Sequence, residues 1–132
     1  MNVQADQLLK LLENGQPLSP VYLLSGDEPL QMMEAADAVR RIAKQQGYLE
    51  REILRVEPGF DWSSLGQSAD EMSLFSQQKI LDLRLEKQSP GAVGSKALIA
   101  YCKRIPEDKI LLITCQRFDG RQKNSAWVKA LS

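Results

Sequence analysis

The chain contains no histidine. That removes Ser-His-Asp and Cys-His catalysis along with the commonest metal ligand, and an ordinary hydrolase becomes a poor fit. Cysteine is scarce: Cys102 and Cys115 are the only two, in segments that read as a helix and a buried strand. Such a pair argues against a disulfide framework or a four-ligand zinc site, so both are expected to be small core residues. Neither sign of charge is in excess, since seventeen Lys and Arg balance seventeen Asp and Glu. A neutral chain exerts no global pull on phosphate backbones, and nucleic acid is not its default partner. The local groups Arg40, Arg41, Lys44 and Arg117, Arg121, Lys123 read as solvated helix faces. The opening Met1-Asn2-Val3-Gln4-Ala5-Asp6 carries no basic leader followed by a long apolar run. Neither a secretory signal nor a membrane span is predicted, and a cytoplasmic location is expected.

What is present suits one compact domain: 132 residues, 43% of them apolar, in alternating apolar and polar segments. Ala5 to Glu13 reads as a short helix stopped by Asn14-Gly15. Val21-Tyr22-Leu23-Leu24 is a continuous apolar run, expected as a central strand covered on both faces. Ser25 and Glu28 are spaced for a capping box, with Pro29 in the first turn of a long helix ending at Gly47. Leu30, Met33, Ala36, Val39 and Ile42 or Ala43 are its expected buried face. Glu50 to Val56 reads as a strand nearer a sheet edge, with Ile53 and Val56 inward. A helix from about Asp61 follows, then a strand over Ile80 to Leu85. Next come a helix carrying Leu98, Ile99 and Tyr101, a buried strand over Lys109 to Thr114, and a helix from Asn124 to Leu131. Strands joined through helical crossovers predict a doubly wound α/β sheet, parallel and flanked by helices. The apolar helix finishing at Leu131-Ser132 without a further strand suggests a piece of a longer polypeptide.

The turn after Leu24 is where such a fold would place a phosphate loop. A P-loop needs G-x-x-x-x-G-K-[ST], because amides cradle the phosphates, lysine reaches the terminal ones and the hydroxyl holds magnesium. Gly26 stands here without that lysine or second glycine, and Asp27 and Glu28 would repel a triphosphate from the helix N-terminus. The later strand offers only Asp82, which reads equally as structural or solvated. The architecture suits nucleotide binding and the chemistry for it is missing.

The most telling segment is Met72-Ser73-Leu74-Phe75-Ser76. Trp62, Leu65, Ala69 and Met72 recur at helical steps of three and four, the stripe that packs on a core. Leu74 falls about 200° round from Met72, so a continuing helix would turn it to water. An exposed Leu-Phe pair marks an interaction surface. The same pair, between a helix and a strand, also reads as a corner of the core.

Taken in order, Tyr22-Leu23-Leu24-Ser25-Gly26-Asp27-Glu28-Pro29-Leu30, Asp61-Trp62, Met72-Ser73-Leu74-Phe75-Ser76 and Trp127-Val128-Lys129-Ala130-Leu131 resemble the bacterial DNA polymerase III delta subunit over essentially the whole chain. That family is the wrench of the sliding-clamp loader. The resemblance implies an amino-terminal AAA+-like domain I spanning residues 1–132, with a degenerate nucleotide site and without the lid and collar of the full-length subunit. It implies that Leu74 and Phe75 form a wedge entering an apolar pocket of the beta sliding clamp, helping to open the ring for loading onto primed DNA. Met72 would flank the wedge and Ser73 would admit it without bulk, with Glu71, Ser76, Gln77 and Gln78 as a possible rim. It further implies no cofactor, no ATP hydrolysis and no catalysis by this chain, polymerase activity belonging to the holoenzyme. The implied partners are the clamp and, through the full-length protein, the gamma/tau and delta prime subunits, with DNA met only in the assembled loader and no membrane. Residues Gln31-Met32-Met33 and Ser89 to Ser95 match the family only loosely.

Two other classes compete. A small nucleotide-using α/β enzyme with an atypical phosphate loop would need a lysine or arginine facing the Ser25 turn. A single-strand nucleic-acid binder would use Trp62, Tyr101 and Trp127 as stacking platforms, although all three sit on helical stripes that suit core packing.

Overall fold

The computed structural model describes residues 1–15, 17–70, 78–85, 90–116 and 125–131. In chain order these form β1 (Asn2–Gln4), α1 (Ala5–Glu13), β2 (Val21–Ser25), α2 (Pro29–Gln45), β3 (Tyr48–Val56), α3 (Ser63–Asp70), β4 (Gln78–Leu85), α4 (Gly91–Lys103), β5 (Lys109–Cys115) and α5 (Ala126–Leu131). The sheet order is β1-β2-β5-β4-β3 and every pairing is parallel. The expected α/β class, with a parallel sheet flanked by helices, is therefore what the chain adopts.

Parallel strands need coverage on both faces, and the register shows how the sequence provides it. Leu23, Ile113, Leu83 and Leu54 form one row across four strands, and this face packs with Leu65, Leu98, Trp127 and Val128 from α3, α4 and α5. One residue earlier, Tyr22, Leu112, Asp82 and Ile53 form a row on the opposite face. There Leu8 and Leu12 of α1 and Ala35, Ala36 and Val39 of α2 cover Tyr22, Leu24 and Leu112. β2 lies inside the sheet as expected, and β5 is its middle strand.

Several expectations are corrected. The capping box does not form, because Ser25 is the last residue of β2 and Glu28 itself caps α2, its carboxylate accepting from the Leu30 amide at 3.2 Å. Pro29 does occupy the first turn. Leu30 and Met33 are 56% and 55% exposed rather than buried. The first turns of α2 overhang the crevice beyond the strand ends, where Met32 and Met33 form a wall, and the buried stripe starts only at Ala35. β3 is an edge strand as expected, but Ile53 faces outward at 39% exposure while Leu54 is buried. Strand side chains alternate, so Ile53 and Val56, three apart, cannot share a face, whereas Leu54 and Val56 do. β1 is an addition: three residues carry too little alternation to announce a strand.

The cysteines behave as small core residues. Cys115 is buried and Cys102 half-buried, both as free thiols. Trp127 and Tyr101 are buried. Trp62 stands edge-on to Phe60 at 5.1 Å and lies so close over Gly94 that an added Cβ there would meet its ring at 2.5 Å. Packing holds all three aromatics, which removes the stacking-platform reading.

Candidate functional site

The helix leading to the Leu-Phe segment starts at a local cap. The Asp61 carboxylate accepts from the Ser63 hydroxyl at 2.7 Å and the Ser63 amide at 3.0 Å, and these two bonds hold its pKa below the ordinary value. α3 then buries Leu65 and Ser68, with Trp62 and Ala69 packed against the same core. That is the predicted stripe, as far as it can be followed. Glu71, Met72, Ser73, Leu74, Phe75, Ser76 and Gln77 lie outside the described residues. Gln78 is the first residue of β4, half-buried, with its amide oxygen in the space beside Gly47.

Both stems of that segment are fixed by a contact the sequence reading missed. Glu52 of β3 accepts from Ser68 Oγ at 2.6 Å and from Lys79 Nζ at 2.8 Å. Ser68 lies two residues before the end of α3, and Lys79 is the second residue of β4. Burial raises the Glu52 pKa, but the bonds from Lys79 and Ser68 and the Lys79 charge outweigh it and leave the carboxyl below its ordinary value. The signal available in sequence was slight: a serine on an apolar helical stripe, and a glutamate in step with buried Leu54. Between α3 and α4 lies a groove of about 580 Å³ bordered by Trp62, Gly66, Ala69, Ala97, Ala100 and Arg104.

The opposite end of the sheet holds the turn where a phosphate loop would sit. The Gly26 amide donates to the Cys115 carbonyl at 3.3 Å, tying the end of β2 to the end of β5. Glu28 occupies the Leu30 amide, one of the donors an anion would need at the helix N-terminus. Asp82 is fully buried. Its Oδ2 accepts from Arg40 Nη1 at 3.0 Å and Arg84 Nη2 at 3.2 Å, while Oδ1 accepts from Arg84 Nε at 3.3 Å. Arg40 also pairs with Asp37 one helical turn earlier. Asp82 is thus structural rather than solvated, and Arg40 is an anchored group rather than part of a free helix face. Arg41 and Lys44 are exposed, whereas Arg117, Arg121 and Lys123 lie outside the described residues. Among the described residues no three carboxylates or thiols gather as a metal site, and no helix is long and apolar enough to cross a membrane.

A parallel α/β sheet with an acidic, lysine-free turn at the phosphate position, and a braced helix-to-strand connection at its other end, defines the class to which the chain belongs structurally. The sequence profile described as "DNA polymerase III, delta subunit" matches residues 22–132, and the chain belongs to that family. It is 32% identical over 127 residues to the DNA polymerase III subunit delta of Escherichia coli (strain K12), covering 96% of this chain and 36% of that protein. It is 28% identical over 117 residues to the DNA polymerase III subunit delta of Haemophilus influenzae, covering 89% of this chain and 34% of that protein. The chain therefore spans about a third of the length of these relatives. A solved structure of the Bacillus subtilis DNA clamp loader delta protein superposes with a TM-score of 0.69 at 15% identity, covering 96% of this chain and 39% of that one, a likeness of fold.

Proposed function

We propose that this chain is the clamp-gripping, AAA+-like domain I of a clamp-loader delta subunit. Leu74 and Phe75 enter an apolar pocket on the beta sliding clamp, flanked by Met72 and Ser73, with Glu71, Ser76, Gln77 and Gln78 at the rim. Binding there helps to open the ring for loading onto primed DNA. The remaining two-thirds of the subunit carries the lid and the collar that joins gamma/tau and delta prime. The chain itself neither hydrolyses ATP nor synthesises DNA, and it works in the cytoplasm.

The observation that supports this reading most is the brace between Ser68, Glu52 and Lys79, which ties both stems of the 71–77 connection to the sheet edge. A docking element gains affinity when its supports are ordered before contact. The family membership of the chain and the Glu28-capped, lysine-free turn support the same reading. Burying the two large side chains contributes about 3 to 6 kcal/mol. Micromolar affinity requires about 8 kcal/mol, so the rim must add contacts.

Calorimetric titration of the chain into the beta clamp of the same organism tests the proposal, beside a Leu74→Ala/Phe75→Ala variant whose fold is checked by circular dichroism. Binding by the parent and none by the folded variant is expected. Equal binding by both would place the contact elsewhere, and unfolding of the variant would assign the pair to the core.

A further inference from the structure

The sheet ends in β1 on one side and β3 on the other, and the two edges differ in length. β1 covers only Asn2–Gln4, whereas β3 runs from Tyr48 to Val56 and, among the described residues, pairs with β4 alone. The register with β4 slips between Tyr48 and Glu50 and is then continuous to Val56. From Glu50 onward the outer side of β3 therefore presents an unbroken row of unpaired main-chain N–H and C=O groups. Edges of this kind accept a further strand, main-chain bonds supplying affinity and side chains choosing the partner.

The face of β3 turned toward α2 is left uncovered. Tyr48 still packs against the cluster under α1 and α2, but past it Leu49 and Ile53 are 59% and 39% exposed, with Arg51 and Arg55 exposed beside them. Arg51, Ile53 and Arg55 follow at the two-residue period of a strand and stand in one line. Neither arginine forms an ion pair among the described residues. Arg55 is also set against Arg84 in the register, a like-charge pairing that costs stability, and the carboxylate nearby, Asp82, is taken up by Arg84 and Arg40. The strip is short of negative charge.

That pattern selects among occupants. A second copy of the same edge is unfavourable, because antiparallel pairing centred on Ile53 sets Arg51 against Arg55, and parallel pairing in register sets each arginine against itself. A phosphate backbone would meet the arginines, yet it leaves Ile53 and the main-chain row without partners, and the chain is neutral overall. An extended segment with a carboxylate opposite each arginine and an aliphatic residue between them satisfies the charges, the apolar side chain and the main chain together.

We propose that β3 is a docking edge for an acidic segment of another polypeptide, which adds as a strand beside Glu50–Val56 with carboxylates opposite Arg51 and Arg55 and an aliphatic side chain against Ile53. Glu52 alternates onto the opposite face, so the added strand leaves its bonds to Ser68 and Lys79 in place. The proposal does not rest on the clamp-gripping reading, which uses the 71–77 connection.

NMR titration of the chain with an acetylated and amidated peptide, Thr-Glu-Thr-Val-Thr-Glu-Thr, tests this. Its pattern reads the same in both directions, so parallel and antiparallel addition are probed together. The same peptide with lysine in place of glutamate keeps the strand propensity and reverses the charge. Saturable shifts and slowed amide exchange confined to β3 are expected with the acidic peptide, and binding roughly tenfold weaker with the basic one. Arg51→Glu/Arg55→Glu should invert that preference, and its binding of the basic peptide would show that the variant is folded. Lys103→Glu, at the exposed end of α4 on the opposite sheet face, should leave the preference unchanged. Equal response to both peptides, shifts centred away from β3, or no saturable binding would overturn the proposal. Saturation of the same amides by a thymidine oligonucleotide, with the acidic peptide inert, would make the arginines a phosphate contact and overturn it as well.

Discussion

Glu52 of β3 and Lys79 of β4 meet at 2.8 Å across the edge of the sheet, and the second oxygen of Glu52 takes the Ser68 hydroxyl of α3 at 2.6 Å. One carboxylate therefore joins three elements beside the connection that carries Leu74 and Phe75. Replacing Glu52 with Gln retains the shape and removes the charge. The pair is partly screened by solvent, so Glu52→Gln is expected to lower stability by about 1 kcal/mol in urea denaturation. If the brace also presents the docking segment, the variant weakens clamp binding while leaving the circular dichroism spectrum unchanged.

The same carboxyl gives a pH dependence. Its folded pKa lies below the ordinary value, so its contribution is fully present above the unfolded pKa of about 4.3 and is lost as pH falls through the folded value. Stability measured from pH 7 downward should hold to about pH 5 and then fall, with a smaller fall in Glu52→Gln. Identical acid limbs in the two proteins would remove Glu52 from the account.

Gly94 of α4 lies under the ring of Trp62, where an added Cβ would meet Cζ2 at 2.5 Å and Cε2 at 2.6 Å. An indole edge cannot yield as a flexible chain end can. Gly94→Ala should therefore cost about 1 to 3 kcal/mol through overpacking, despite the better helix propensity of alanine. Thermal unfolding checks this, and a gain in melting temperature would show that the α3–α4 contact is loose.

Burial pushes the Cys115 thiol up to about 12 and also raises that of Cys102 above its ordinary value. The thiolate is the reactive form, so both should resist a disulfide reagent at pH 8 in the native state. Cys102, half-buried on α4, should label before Cys115, and both promptly on unfolding. Fast labelling of Cys115 in native protein would mean that the β2–β5 seam opens.

Removing the Asp82 carboxylate leaves Arg40 and Arg84 without their shared acceptor. Asp82→Ala is expected to cost about 2 to 3 kcal/mol, below the cost for a fully buried pair because both arginines reach water. Asp82→Leu should recover part of that loss, since Ile80, two residues earlier on the same face of β4, is buried in the apolar cluster under α1 and α2. A chemical denaturation series of the three proteins measures the difference.

The sequence by itself determined the succession of elements, because apolar runs such as Val21-Tyr22-Leu23-Leu24 and Lys109-Ile110-Leu111-Leu112-Ile113-Thr114 and the glycine and proline stops around them act through local physics. It also determined the family, through the ordered stretches from Tyr22 to Leu131, and it drew attention to Leu74 and Phe75 through a break in helical period. It did not determine that Leu30 and Met33 face solvent, since helical period assigns a face but not the point where the sheet beneath it ends. Nor could spacing tell that Asp82 is gripped by Arg40, 42 residues earlier, or that Glu52 meets Ser68 and Lys79, 16 and 27 residues later. Those partners are brought together only by strand order and register, which set β3 beside β4 and lay α2 over Asp82. Charge pairing acts over a few ångströms of space, and the tertiary fold alone decides which distant residues share that distance.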